Sequence, residues 1–360
     1  MTLTKETLYF FLATSGITAK KQNELLDNFS VEEIYDRVGS DRFLFDFLGE
    51  TAFHKLQSNK NIGIIEKKLD RVYESGIKFV TRDSKDYPEN LKHSEINPPT
   101  ILYYKGDISL LKKTIVAIVG TRFCSEYGKL VTKKIARELS NYSICVASGL
   151  AYGVDAFAHE AVMKAGGKTI AVLASGLNRP SPAGNIKLFH EIEQSGLSLS
   201  EYFVDDEAQK HTFPERNRIV AGISTACIVT EAPQKSGALI TANIATEIGR
   251  EVFSVPGSIL SGKSEGTNAL IKNGANALTD IMDIIHYLKT SGSKIKQTNV
   301  AVSLDFLEQR VYTLLKDEPQ SIEELVDNSK IDLSDLFSIM LSMEVKGVVA
   351  RGVGNKYTVI

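Results

Sequence analysis

Residues 115–128, IVAIVGTRFCSEYG, set the frame for the chain. Ile115–Val119 is an unbroken apolar, largely β-branched run. Without in/out alternation it reads as a strand covered on both faces. Gly120-Thr121-Arg122 follows at once, and Ser125 opens a helix. This strand, loop and helix unit then recurs. Strands are expected at 144–147, 169–173, 197–199, 226–230 and 252–255. Helices are expected at 154–165, 186–194, from about Phe213, at 238–248 and at 267–272, with 280–288 closing the unit. Such alternation predicts an α/β fold, a doubly wound, mostly parallel sheet with helices on both faces.

Outward from this unit the pattern changes. Residues 1–75 are expected to be a small helical domain. Leu8, Phe11 and Leu12 recur at helical spacing, Gly16-Ile17-Thr18 breaks the run, and Leu25, Leu26 and Phe29 mark a second amphipathic piece. Helix, Gly49, helix repeats the idea, and the whole resembles SAM-like or helix-hairpin-helix modules. No Gly-x-Gly hairpin is present, so a packing or protein-contact role competes with phosphate binding. Residues 76–114 add short strands at 77–80 and 101–104. Together they assign 76–289 to the sheet domain. Residues 290–302, including the polar run TSGSKIKQTN (290–299), read as a linker. Three helices and a hairpin around Gly352–Gly354 in 303–360 resemble a winged helix.

A net charge of −2 confines any nucleic-acid binding to a local basic patch. Cys124, Cys145 and Cys227 match no metal-ligand spacing, and no metal is expected. No apolar run reaches the ~18 residues of a membrane span. A cytoplasmic protein without membrane contact is the expectation.

The unusual residues follow strand ends: Gly120-Thr121-Arg122, residues 148–153 (SGLAYG), Ser175-Gly176 onward, Ser200-Glu201-Tyr202, Glu231 to Ser236-Gly237, and Pro256-Gly257 to Gly266. In a doubly wound sheet these loops line the crevice at the carboxyl edge, where ligands bind. The first loop is not G-x-G-x-x-G, no acidic residue follows at the ribose position, and no Walker lysine motif occurs. No cofactor is expected. Arg122, Arg179, Lys210, Arg216, Arg218, Lys235 and Lys263 all map near this edge. Cations spread over separate loops suit a polymer of phosphates better than one nucleotide.

Residues 210–224, KHTFPERNRIVAGIS, carry the densest cluster. Thr212 and Glu215 have capping-box spacing, and Pro214 is tolerated in a first turn. A helix N-terminus beside cations favours anions. Phe213 offers a stacking face, as Tyr152 and Tyr202 do; a core Phe213 with salt-bridged arginines is the competing reading. Catalysis finds little support: Asp155 and His159 share a helix face, yet no nucleophile elbow or H-E-x-x-H occurs. Structural support is the commoner use of such a pair. Glu201 and Glu231, at strand ends, could orient arginines or catalyse, and the former is the commoner use. No catalytic residue is assigned.

Taken together, VAIVGTR (116–122), SGLAYGVD (148–155), His159, GGKTIAVLASGL (166–177), FPERNRIVAGIS (213–224), SGALITA (236–242) and GREVFSVPG (249–257) resemble the DprA/Smf family, DNA-processing protein A. The resemblance covers about 76–280. It implies an extended Rossmann domain, single-stranded-DNA binding, help in loading a RecA-type recombinase during natural transformation, and a homodimer through this domain. By motif match, Arg122, Lys210, Phe213, Arg216 and Arg218 become DNA contacts, with Asn217 and Lys263 beside them. Gly120, the loop from Ser148 and Gly149 to Gly153, and Ser236-Gly237 would turn backbone amides to phosphate. Ser181 stands where the family often has tyrosine, which removes a stacking ring. A sensor or enzyme for a small nucleotide remains the alternative on the same crevice. Residues 303–360 hold ten acidic and six basic residues, and 334–345 has no Lys or Arg. The wing is therefore expected to contact protein or regulate the main domain, since a groove-reading helix needs cations nearby.

Overall fold

Short, mostly apolar strands that alternate with helices favour a central sheet covered on both sides. The computed structural model, which describes residues 3–39, 41–92, 95–293, 295 and 304–359, has that arrangement. Its strands are β1 (Lys78–Thr81), β2 (Ile101–Gly106), β3 (Ile115–Val119), β4 (Cys145–Ser148), β5 (Thr169–Val172), β6 (Leu197–Ser200), β7 (Ala226–Val229), β8 (Glu251–Ser254) and β9 (Asn276–Ala277). They order as β1-β2-β6-β5-β4-β3-β7-β8-β9. From β6 to β9 every pairing is parallel; β1 and β2 add an antiparallel edge. The chain starts the parallel sheet at β3, builds outward to β6, then returns to β7 on the other side of β3. The β3/β7 boundary is thus the topological switch, where a crevice opens.

Two apolar layers sandwich this sheet. Ile219, Val220, Ala238 and Ala242 pack on one face against Ala117, Cys227 and Val252. Ile135, Leu139, Val154, Val162 and Ile285 pack on the other against Val116, Ile118 and Ile228. Among the described residues six helices, from Lys5–Ala13 to Ile62–Glu74, precede β1. Their core is not separate from the sheet: Phe10, Phe11 and Leu56 belong to one apolar cluster with Phe79, Tyr103, Leu173 and Phe189. Arg71 also donates twice to Asp205, at 2.6 and 2.8 Å.

The helices Phe306–Asp317, Ile322–Ser329 and Leu333–Val345, with β10 (Val349–Arg351) paired antiparallel to β11 (Tyr357–Val359), make the C-terminal winged helix. Capping boxes at Asp305/Glu308 and Ser321/Glu324 start its first two helices. The wing meets the main unit where Arg137 Nη1 donates to the Gly347 carbonyl at 2.7 Å. Most of the expected linker, 290–302, lies outside the described residues.

The expected capping box at Thr212 is not formed. The helix spans Thr212–Ile223 with His211 at its N-cap and no side-chain cap. Thr212 is already helical, so its hydroxyl turns back to the Gln209 carbonyl (2.8 Å). Glu215 instead takes the Tyr202 hydroxyl at 3.0 Å. Strand β9 was not foreseen, because Asn276-Ala277 has neither the length nor the apolar pattern of a strand.

Candidate functional site

Four loops and helix ends at the carboxyl edge enclose a cleft of about 520 Å³ at the β3/β7 switch. It is lined by Gly120, Arg122 and Phe123 after β3, Gly149 and Asp155 after β4, Lys210, Phe213, Arg216, Asn217 and Val220 before β7, and Lys235, Ser236, Gly237 and Thr241 after β7. Of the residues singled out from sequence, Gly120, Arg122, Gly149, Lys210, Phe213, Arg216, Asn217, Ser236 and Gly237 all line it. Chain segments over a hundred residues apart meet there because parallel strands point every carboxyl end the same way.

Arg122 and Phe213 form its centre. The Arg122 guanidinium carbon lies 5.1 Å from the centroid of the Phe213 ring, a cation–π contact. Phe213 is half-buried, while Arg122, Lys210 and Lys235 are exposed. Two helices begin at this rim. Thr212–Ile223 has no side-chain cap; Thr212 N donates to the Gln209 carbonyl (3.0 Å), Glu215 N to the His211 carbonyl (3.4 Å) and Pro214 has no N–H, so the first turn offers a ligand the Phe213 N–H. Gly237–Glu247 starts after Ser236, whose hydroxyl accepts from Ala238 N at 3.3 Å. Nothing lies within 4 Å of a Cβ placed on Gly237, so a ligand can approach this backbone. Both helix ends add partial positive charge to that of three exposed cations.

Several expected contacts are used otherwise. Arg216 is only 4% exposed. Its guanidinium donates to the carbonyls of Gly149 and Val172, pinning the loop after β4 to β5. A Cβ on Gly149 would collide with that guanidinium, so this glycine makes room for an arginine rather than for phosphate. Asp155 accepts from Gly149 N (3.1 Å) and Ala151 N (3.3 Å). Those two amides are therefore spent. Ser148 is fully buried, its hydroxyl bonded to the Ile118 carbonyl at 2.6 Å. Arg218 is ion-paired with Glu201, both side chains nearly covered. Gly153 caps the helix Val154–Lys164 with φ of 76°, tight against Thr121 and Arg122 backbone. Lys263 is exposed but does not line the cleft.

The carboxylates follow the same logic. Glu201 holds an arginine, as expected from its strand end. Glu231 does not: it accepts from Ser125 N (2.7 Å) and Ser125 Oγ (2.6 Å), fixing the helix that follows β3. Asp155 and His159 do not pair. His159 Nδ1 lies 2.6 Å from Thr169 Oγ1, and burial pushes the imidazole down to about 3. Among the described residues no group of three or more His, Cys, Asp or Glu side chains could hold a metal.

Phe123 was missed. It is 82% exposed on the cleft wall next to Arg122. An aromatic directly after Gly-Thr-Arg, in a strand-end loop, was the available signal. Tyr152 also stands at the edge, 46% exposed, with its hydroxyl 3.2 Å from Gly184 N.

A parallel sheet with a cationic, ring-bearing cleft at its switch point defines a Rossmann-type binding protein for anionic ligands. Comparison with known proteins narrows the class. The family model described as DNA recombination-mediator protein A matches residues 78–289, and that of the DprA winged helix domain matches 296–355. Protein Smf of Synechocystis sp. is 33% identical over 326 residues, covering 80% of this chain and 82% of the relative. DNA processing protein DprA of Streptococcus pneumoniae is 45% identical over 200 residues, 55% of this chain and 70% of the relative. The X-ray structure of S. pneumoniae DprA superposes with a TM-score of 0.68 at 34% identity, covering 79% of this chain and 98% of that one. A Helicobacter pylori DNA processing protein A, studied for its single-stranded-DNA binding mode, gives 0.53 at 35%, covering 60% and 96%. The chain belongs to the DNA recombination-mediator protein A (DprA/Smf) family.

Proposed function

We propose that this chain binds single-stranded DNA along the cleft and acts as a recombination mediator, protecting incoming strands and helping to load a RecA-type recombinase in natural transformation. The carrying observation is the convergence of Arg122, Lys210 and Lys235 with Phe213 and Phe123 in one cleft. An unstacked polyanion needs both kinds of group, cations for phosphate and flat faces for bases. Family membership agrees. In this reading Arg122 and Lys210 meet phosphates, Phe213 and Phe123 stack bases, and the Gly237 backbone approaches the strand. Lys263 lies outside the cleft and would meet the strand only beyond it. The protein works by binding, not catalysis: the cleft carboxylate Asp155 and the neighbouring Glu231 are committed to backbone amides and Ser125. It acts in the cytoplasm as a homodimer through the sheet domain; no helix among the described residues is long and apolar enough to cross a membrane.

A gel shift with a thymidine oligomer against duplex of equal length tests the reading. Preference for the single strand, lost when Arg122 and Lys210 are both neutralised, supports it. The cleft volume also suits a small nucleotide. Tight mononucleotide binding, with oligomer affinity flat in length, would favour that alternative.

A further inference from the structure

A second basic concavity lies away from the cleft. A groove of about 900 Å³ runs between the main unit and the winged helix. One wall is made by the helices Glu126–Asn141 and Val154–Lys164, which carry Lys129, Lys133 and Lys164; the other includes Tyr312 and Arg351 of the wing.

The cations here are held close without full neutralisation. The ammonium groups of Lys129 and Lys133 sit 5.6 and 5.4 Å from the centroid of one ring, Phe157. Lys129 has a carboxylate, Glu126, at 3.4 Å. Among the described residues no carboxylate lies within ion-pair distance of Lys133, Lys164 or Arg351. Burial pushes the Lys133 ammonium below its ordinary value, and Lys129 pushes the same way. The groove also contains Glu138, Glu160 and Glu344. Glu138 is engaged by Arg137 at 3.7 Å. With Lys129, Arg137 and Lys346 paired, Lys133, Lys164 and Arg351 stand against Glu160 and Glu344, an excess of one positive charge along the groove. A facing aromatic, Tyr312, gives the groove the same two kinds of group as the cleft.

The two concavities are joined by one helix. Val154–Lys164 has Asp155 at the cleft and Lys164 in the groove. Its eleven residues rise about 16 Å, which an extended nucleic-acid strand covers in a few nucleotides. We infer that the groove is a second segment of the single-strand path, with Lys133, Lys164 and Arg351 receiving phosphates of the strand whose other end occupies the cleft. This inference rests on the reading that the cleft binds single-stranded DNA.

The test uses the full chain and two thymidine oligomers, of about six and about twenty nucleotides, spanning the site sizes of single-strand binders. The groove variant combines Lys133→Gln, Lys164→Gln and Arg351→Gln. Arg351→Glu alone, at the exposed end of the wing strand, guards against a folding defect. On the long oligomer each lost contact should cost about fivefold at ~0.1 M salt, and the triple variant should flatten the salt slope by about 2. The short oligomer should bind as before. Unchanged affinity and slope on the long oligomer would overturn the groove while leaving the cleft reading intact. Equal losses on both lengths would also overturn it. Lys210→Ala serves as the cleft control: if it leaves short-oligomer binding untouched, or wild-type chain binds neither oligomer, the cleft reading fails and the groove inference falls with it.

Discussion

The Arg122 guanidinium lies over the Phe213 ring, 5.1 Å from its centroid, and links the loop after β3 to a helix ninety residues later. A guanidinium on an aromatic face presents its own second face outward, on which a base can stack while the N–H edges reach phosphate. Phe213→Ala removes the platform and frees Arg122 to wander. It should cost about 1–3 kcal/mol of single-strand affinity. Because Phe213 is half-exposed, the melting temperature should barely move. Fluorescence-anisotropy titration beside a thermal melt checks both halves.

Lys210 and Lys235 approach the cleft from opposite sides of Phe213 in sequence, and both are exposed. Their contribution is charge alone. Lys210→Ala and Lys235→Ala should each flatten the dependence of log affinity on log salt by about 0.7 for single strands. Titrations over a series of salt concentrations measure it. An unaltered slope for either variant removes that lysine from the phosphate contacts.

Arg216 should behave in the opposite way. It binds the Gly149 and Val172 carbonyls from inside the molecule. Arg216→Ala leaves both without their donor, and each buried polar group left unpaired costs about 1–3 kcal/mol. Lysine, a single ammonium on a flexible stem, does not replace a planar fork holding two acceptors. Both variants should melt several degrees lower, whereas Arg122→Ala should lose affinity at unchanged stability. Thermal melts of the three proteins decide the assignment.

This contrast marks what sequence can disclose. The sheet was legible because β3, β4, β5 and β7 are largely apolar and separated by helix-length intervals, although β6 alternates Leu and Ser. The cleft was legible because every strand-end loop of a parallel sheet opens on the same edge, so Arg122, Lys210 and Phe213 had to come near each other. The direction of an individual side chain was not. Arg216 and Arg218 look like equal partners of Lys210 in the RNR run. Arg216 turns inward because carbonyls 67 and 44 residues away offer it acceptors, and Arg218 because Glu201 waits at the end of β6. Likewise a glycine loop after β4 suggested free amides, but Asp155 in the next helix occupies them. Such partners are set by tertiary packing, which no local spacing encodes.

His159 gives the last prediction, on stability rather than binding. It is fully buried beneath β5, held by Thr169 through Nδ1. Burial, followed by the nearby Arg216 charge, pushes its pKa down to about 3 from 6.5. The folded chain therefore keeps this imidazole neutral over a range where the unfolded chain protonates it. Since the folded value is the lower one, the contribution is present above pH 6.5 and is lost as pH falls toward 3. Linkage sets the size: a group that titrates at 6.5 only in the unfolded state costs about 2 kcal/mol of stability between pH 8 and pH 5. His159→Gln lacks the titration. Its urea midpoint should fall less over that interval than the wild-type midpoint does, even if it starts lower. Parallel curves for the two proteins would mean that His159 is not the group responsible.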